Sequence, residues 1–144
     1  MLQMKHLFII LSLILAQSHC ENNVQSDYIA LEYSASSRGY QKQIVITKDS
    51  ISTTSKRDSK LIVKNCRPEH WAKLMEAIKS IDISTLSRLE PPSKDHQFDG
   101  AAIARLSIIS NGKTYETQAF DHGNAPKAIA ELVKEILSIS ENIE

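Results

Sequence analysis

Apolar and polar residues alternate along this chain with three different rhythms. From Leu7 to Ala16 there is almost no alternation: ten residues run Leu-Phe-Ile-Ile-Leu-Ser-Leu-Ile-Leu-Ala behind Lys5. From Tyr28 to Lys64 the period is two, the signature of strands with one buried face. After Pro68 the period is 3.6, then two again around Asn111-Gly112, then 3.6 to the end of the chain.

The period-two region predicts four short strands. Tyr28–Ala35 puts Ile29, Leu31 and Tyr33 on one side and Ala30, Glu32 and Ser34 on the other, and Ser36-Ser-Arg-Gly39 supplies a turn. Tyr40–Thr47 follows, then β-branched Ser50–Thr54, a polar loop over Ser55–Ser59 and a last strand at Lys60–Lys64. Strands this short, joined by turns this short, form an antiparallel meander. Pro68 opens a helix whose missing N–H costs nothing there, and Trp71, Leu74, Met75, Ile78 and Ile81 make its apolar stripe. Trp71 therefore belongs to the core, and His70 to the wet side. Ile83, Leu86 and Leu89 predict one more helical piece; Pro91 and Pro92 then make Glu90–Gly100 irregular.

Asn111-Gly112 between two apolar-rich runs, Ala101–Ile109 and Lys113–Phe120, specifies a hairpin with a type I′ turn. That turn fixes a register in which paired residue numbers sum to 223. Tyr115 then faces Ile108, Thr117 faces Leu106 and Ala119 faces Ala104, an apolar side; Arg105 beside Gln118 and Ser107 beside Glu116 make a wet one. The closing helix begins after Gly123 with Asn124 as N-cap, and Ile129, Leu132, Val133, Ile136 and Leu137 form its stripe. The predicted architecture is an α+β domain of order ββββ-α-ββ-α: an antiparallel sheet of about six strands with both amphipathic helices on one face. It covers residues 28–139 as one domain, with 140–144 as a tail.

The basic start, apolar run and small polar residues up to His19 form the tripartite pattern of a secretory signal over residues 1–19, and residues 20–27 a polar tether. Ten apolar residues are about half the length that spans a bilayer. Cys20 then reads in two mutually exclusive ways. Placed directly after the apolar run, it resembles the acylated cysteine of a bacterial lipoprotein signal. Cleavage after Ser18 instead, on the small-x-small pattern Ala16-Gln17-Ser18, leaves a thiol that pairs with Cys66. Closing that loop contributes about 4 kcal/mol on the chain-entropy model. Lipidation at Cys20 is the expectation carried forward, and the Cys20–Cys66 disulfide is the alternative.

With 17 basic and 17 acidic residues, the chain offers no electrostatic case for nucleic acid, or for a membrane contact beyond a lipid anchor. No glycine-rich phosphate loop, nucleophile elbow or dinucleotide fingerprint occurs, so no cofactor and no catalytic residue is assigned. Metal-ligand spacings such as His-x-x-x-His or Cys-x-x-Cys are absent from the sequence as well. The hairpin register nevertheless brings the segment entering it (His96, Asp99) to the same sheet end as the segment leaving it (Asp121, His122). Imidazoles and carboxylates together can bind a ligand, hold a metal or move protons, and the same residue types also build turns and caps. Tyr28, Tyr33 and Tyr40 flank the first turn and offer a contact edge as an alternative to strand packing.

The strand meander, Pro68–Leu89 helix, Asn-Gly hairpin and closing helix resemble a type of small exported bacterial (lipo)protein of undefined function. The same order, with Asn111-Gly112, Asp121 and Pro126 as landmarks, also resembles emfourin, a protein inhibitor of thermolysin-like metalloproteases. That resemblance implies protease inhibition and carries over no inhibitory residue. Three functions are thus expected in turn: a non-catalytic envelope module binding an unknown protein or envelope ligand, a protease inhibitor, and a small metal-dependent or hydrolytic enzyme around Asp99, Asp121 and His122.

Overall fold

A computed structural model describes residues 28–55 and 60–143. The signal segment, the tether and Cys20 lie outside the described residues. The chain forms strands β1 (Ile29–Ser37), β2 (Tyr40–Thr47), β3 (Ser50–Thr54) and β4 (Ile62–Asn65), then helix α1 (Pro68–Lys79). Strands β5 (Ile103–Ser110), β6 (Lys113–Glu116) and β7 (Phe120–Asp121) and helix α2 (Ala130–Glu141) complete it. The strands make one antiparallel sheet in the order β4-β3-β2-β1-β5-β6, with β7 also paired to β5. This is the α+β class that the periodicities predict.

The period-two faces sort as strand geometry requires. Leu31, Tyr33 and Ala35 of β1 share one side with Ile44 and Ile46 of β2, Ile51 of β3 and Ala104, Leu106 and Ile108 of β5, all in the buried core. Leu74 of α1 and Leu132, Val133, Ile136 and Ile139 of α2 close on that side, with Trp71 packed against them, half-buried. The other side carries Glu32, Ser34, Gln43 and Arg105. There Arg105 approaches Glu116 at 3.9 Å and the Ser107 hydroxyl donates to Glu116 at 3.0 Å.

Four details depart from the sequence expectations. The Glu90–Gly100 stretch contains a 3-10 turn at Asp95–Phe98, beyond the reach of the two prolines. Asn124 does not cap the last helix: Pro126 precedes a 3-10 turn at Lys127–Ile129 that runs into α2. That helix continues to Glu141, and Ile143 is buried in the core, so the core extends past residue 139. His70 is partly covered, its Nε2 2.7 Å from Arg67 and its Nδ1 buried without a hydrogen-bond partner.

A further departure positions the site. Asn111 and Gly112 have φ of 49° and 77°, the two positive values that a type I′ turn needs, and Ser107–Ser110 pair with Lys113–Glu116 in the predicted register. Beyond Glu116 the register slips: Ala104 faces Phe120, where Ala119 was expected, and Ile103 faces Asp121. Between Thr117, opposite Leu106, and Phe120, opposite Ala104, two residues face Arg105 alone, which makes this a bulge. The Thr117 amide donates to the Leu106 carbonyl at 3.0 Å, and the Leu106 amide donates to Thr117 Oγ1 at 3.1 Å. A side-chain oxygen thus replaces the missing ladder acceptor, so the buried amide keeps a partner. The slip exchanges faces: Phe120 enters the core in place of Ala119, which favours it because burial energy scales with apolar area.

Candidate functional site

The bulge turns Asp121 away from the core side and toward the segment that follows the double proline. Its carboxylate is almost fully covered and accepts four hydrogen bonds. Oδ2 takes the Ser93 hydroxyl and the Asp95 amide (3.1 Å); Oδ1 takes the His96 amide (2.8 Å) and His96 Nδ1 (2.5 Å). Asn124 Nδ2 donates to Ser93 Oγ at 2.6 Å, and its amide donates to the Asp121 carbonyl at 2.8 Å. Asp121 therefore caps the 3-10 turn of residues 95–98 from a distant strand. Burial pushes its pKa up, but the bonds from Ser93, His96 and Asp95 outweigh that and hold it well below the usual carboxylate range.

His122, one residue on, faces the opposite way. Its Nδ1 lies 2.7 Å from the Tyr33 hydroxyl and its Nε2 3.2 Å from the Tyr40 hydroxyl, while its amide donates to the Ala102 carbonyl at 2.9 Å. A neutral imidazole satisfies both phenols, donating from one ring nitrogen and accepting at the other. Burial, then the positive charge of Lys42, lower the His122 pKa and favour that neutral form. Burial likewise raises the Tyr33 phenol, further helped by Tyr40. Tyr33 itself is fully buried, with its ring against Phe120 at 6.3 Å.

The four residues singled out in the sequence thus divide into three roles. His96 and Asp121 are in direct contact. His122 sits apart from them against two tyrosines. Asp99 lies in the left-handed region (φ 57°) at the end of the 95–98 turn, where the Gly100 amide donates back to the Asp95 carbonyl at 2.9 Å. A Cβ on Gly100 would come within 3.2 Å of Asp95 Cβ, so glycine lets the tip close this tightly. Asp99 and Ile103 form one wall of an open cleft of about 570 Å³, and the β1–β2 turn from Ser36 to Gln41 forms the other. Phe98, beside Asp99, is 82% exposed.

The Ser93 proton goes to a carboxylate and not to an imidazole, so no Ser–His pair forms here. Both ring nitrogens of His122 are occupied by phenols, leaving neither for a metal or a substrate. Among the described residues no group of three or more His, Cys, Asp or Glu side chains converges as a metal site would require. Nor is any helix among them long and apolar enough to cross a membrane. Cys66, the other half of the alternative disulfide, is buried; its thiol donates to the Arg67 carbonyl at 3.7 Å and burial pushes its pKa up.

Two contributors had no signal in the sequence. Ser93 lies 28 residues from the carboxylate it serves, and its neighbours Pro92 and Lys94 mark only an irregular stretch. Tyr33 is legible only as a strand residue or part of a tyrosine contact edge, and nothing in the sequence pairs it with His122, which the register slip brings to its side of the sheet. The chain matches no protein-family model, no curated protein and no solved structure.

Proposed function

We propose that this chain is an exported, lipid-anchored, non-catalytic interaction module, and that it grips a partner protein or envelope ligand at the cleft between the β1–β2 turn and Asp99 and Ile103, with the exposed Phe98 adjacent in the chain. The observation that carries this reading is an aromatic ring left in solvent on a loop that is otherwise tied down. Phe98 is 82% exposed although the turn bearing it is fixed by three hydrogen bonds to Asp121, with a fourth from Ser93 just before it. Preorganised loops lose little entropy on binding, and exposed aromatics are the residues that anchor interfaces. Arg38, Tyr40 and Asp99 around the cleft add polar groups that fix orientation. The sequence supports anchoring through Cys20 at the end of a tether that holds the domain near a membrane.

A photo-crosslinking amino acid at position 98, expressed in the full chain in intact cells, tests the cleft. Position 134, exposed on α2, is the control. A discrete adduct from position 98 that Arg38→Ala weakens is expected; identical patterns from both positions would refute the assignment. Intact mass spectrometry tests the anchor separately: acylation at Cys20 and a Cys20–Cys66 bridge give different masses.

The same rigid loop supports protease inhibition as a second reading, because substrate-like inhibitors present one exposed side chain on a fixed backbone. Titrating thermolysin-like metalloproteases with the full chain and with Phe98→Ala decides it. Full residual protease activity at stoichiometric excess removes inhibition from consideration.

A further inference from the structure

The opposite end of the sheet carries a feature the cleft does not use. β4 is the terminal strand, paired only with β3 among the described residues, so one row of its N–H and C=O groups faces outward. Three successive apolar residues lie there in the open: Leu61 is 62%, Ile62 36% and Val63 58% exposed. Solvent-facing edges of this kind attract other strands, and proteins usually blunt them. Lys60 and Lys64 bracket the three, both exposed and neither ion-paired among the described residues.

We infer that β4 accepts an extended peptide as an added strand, and that the peptide places three apolar residues between two acidic ones. Alternation along the strand is the first reason. Ile62 pairs with Thr53 and lies toward the helix side of the sheet, while Val63 pairs with Ser52 and lies toward the wet side. No flat surface covers both, but a strand alongside does, since its own side chains also point to both faces. A lipid surface fails on a second count, because it leaves the outward backbone row without partners.

Charge selects among peptides. Ile62 and Lys64 share one face of β4, and the alternation carried back through Leu61 and Lys60, which lead into the strand, adds Lys60 to it, so the matching face of the added strand presents acid, apolar, acid at every second position. Its other face presents two apolar residues to Leu61 and Val63. A second copy of this chain brings lysines to lysines in the register that pairs Ile62 with itself, and like charges directly opposite are unfavourable. An acid-flanked strand from another protein gains at the positions where a second copy loses.

The test uses the full chain and three labelled peptides: Glu-Val-Ile-Val-Glu, Lys-Val-Ile-Val-Lys and Glu-Val-Pro-Val-Glu. The first is expected to bind, with amide shifts confined to β4 and its neighbours, and the proline peptide, lacking the central donor, to lose most of that affinity. The double variant Lys60→Glu/Lys64→Glu, altered only at exposed positions, is expected to reverse the preference toward the lysine-flanked peptide by about tenfold. Four results overturn the inference: no binding at millimolar peptide, binding indifferent to the proline, shifts that map to another face, or a preference that does not reverse. Self-association of the free chain abolished by Val63→Lys would instead assign the edge to a second copy. Charge-dependent binding to phosphatidylglycerol vesicles through the same residues would assign it to a membrane. Either outcome leaves the cleft at Asp99 untouched, since that cleft is probed at a different surface.

Discussion

Thr117→Val isolates the bulge that positions everything at the loop end of the sheet. The two side chains have nearly the same shape and similar strand propensity, so the substitution chiefly exchanges a hydroxyl for a methyl. That hydroxyl accepts the Leu106 amide at 3.1 Å, and Leu106 is fully buried while Thr117 is 4% exposed. Removing the acceptor strands a buried N–H, which costs about 1–3 kcal/mol. A buried methyl returns a fraction of that through burial. The net loss expected is about 2 kcal/mol, which at a urea m-value of about 2 kcal/mol/M lowers the midpoint by about 1 M. Thr114→Val is the control, because Thr114 is exposed on the regular part of the same hairpin opposite Ile109; it should shift stability by less than about 0.5 kcal/mol. Urea unfolding followed by circular dichroism reads both, and hydrogen exchange at the Leu106 amide should quicken in the first variant alone. Equal midpoints for Thr117→Val and wild type would mean that this amide has another acceptor. The account of the bulge would then be wrong.

Other outcomes follow from the same geometry. Since the His122 pKa is depressed in the folded state, the unfolded chain binds the extra proton as pH falls past about 6.5. Stability should therefore fall on mild acidification below about pH 6.5, and His122→Gln should flatten melting temperature against pH there; an unchanged slope would refute the role given to this ring. Asp121 also has a depressed folded value, so its stabilisation is present above the unfolded value of about 4 and lost as pH falls toward the folded one. Asp121→Asn should quicken exchange of the Asp95 and His96 amides at neutral pH, leaving the Asn111–Gly112 turn unaltered. Leu132→Ala, at a fully buried position of α2, should cost about 2–5 kcal/mol in urea unfolding. The buried, pKa-raised Cys66 thiol should resist iodoacetamide at pH 8 until urea unfolds the domain, as peptide mass mapping can show.

The local rules wrote much of this fold into the sequence. Alternation in Tyr28–Ala35 and Tyr40–Thr47 chose the faces of β1 and β2 because a strand's period is two, whatever it pairs with. Pro68 opened α1, Asn111-Gly112 fixed the start of the hairpin register, and the stripes of α1 and α2 required a shared apolar sheet face. The meeting of His96 with Asp121 was also foreseeable, since a hairpin must return its ends to one place. What the sequence could not decide was every choice settled by competition between distant parts. Ala119 and Phe120 each fit the strand pattern, and only the tertiary core, where Phe120 is buried against Tyr33, decided for Phe120. That slip of one residue sent Asp121 to Ser93 and His122 to Tyr33, pairings separated by 28 and 89 residues. The exposure of Leu61–Val63 was hidden for the same reason: periodicity says which way a side chain points, but only the sheet order says that no strand of the described residues lies beyond β4.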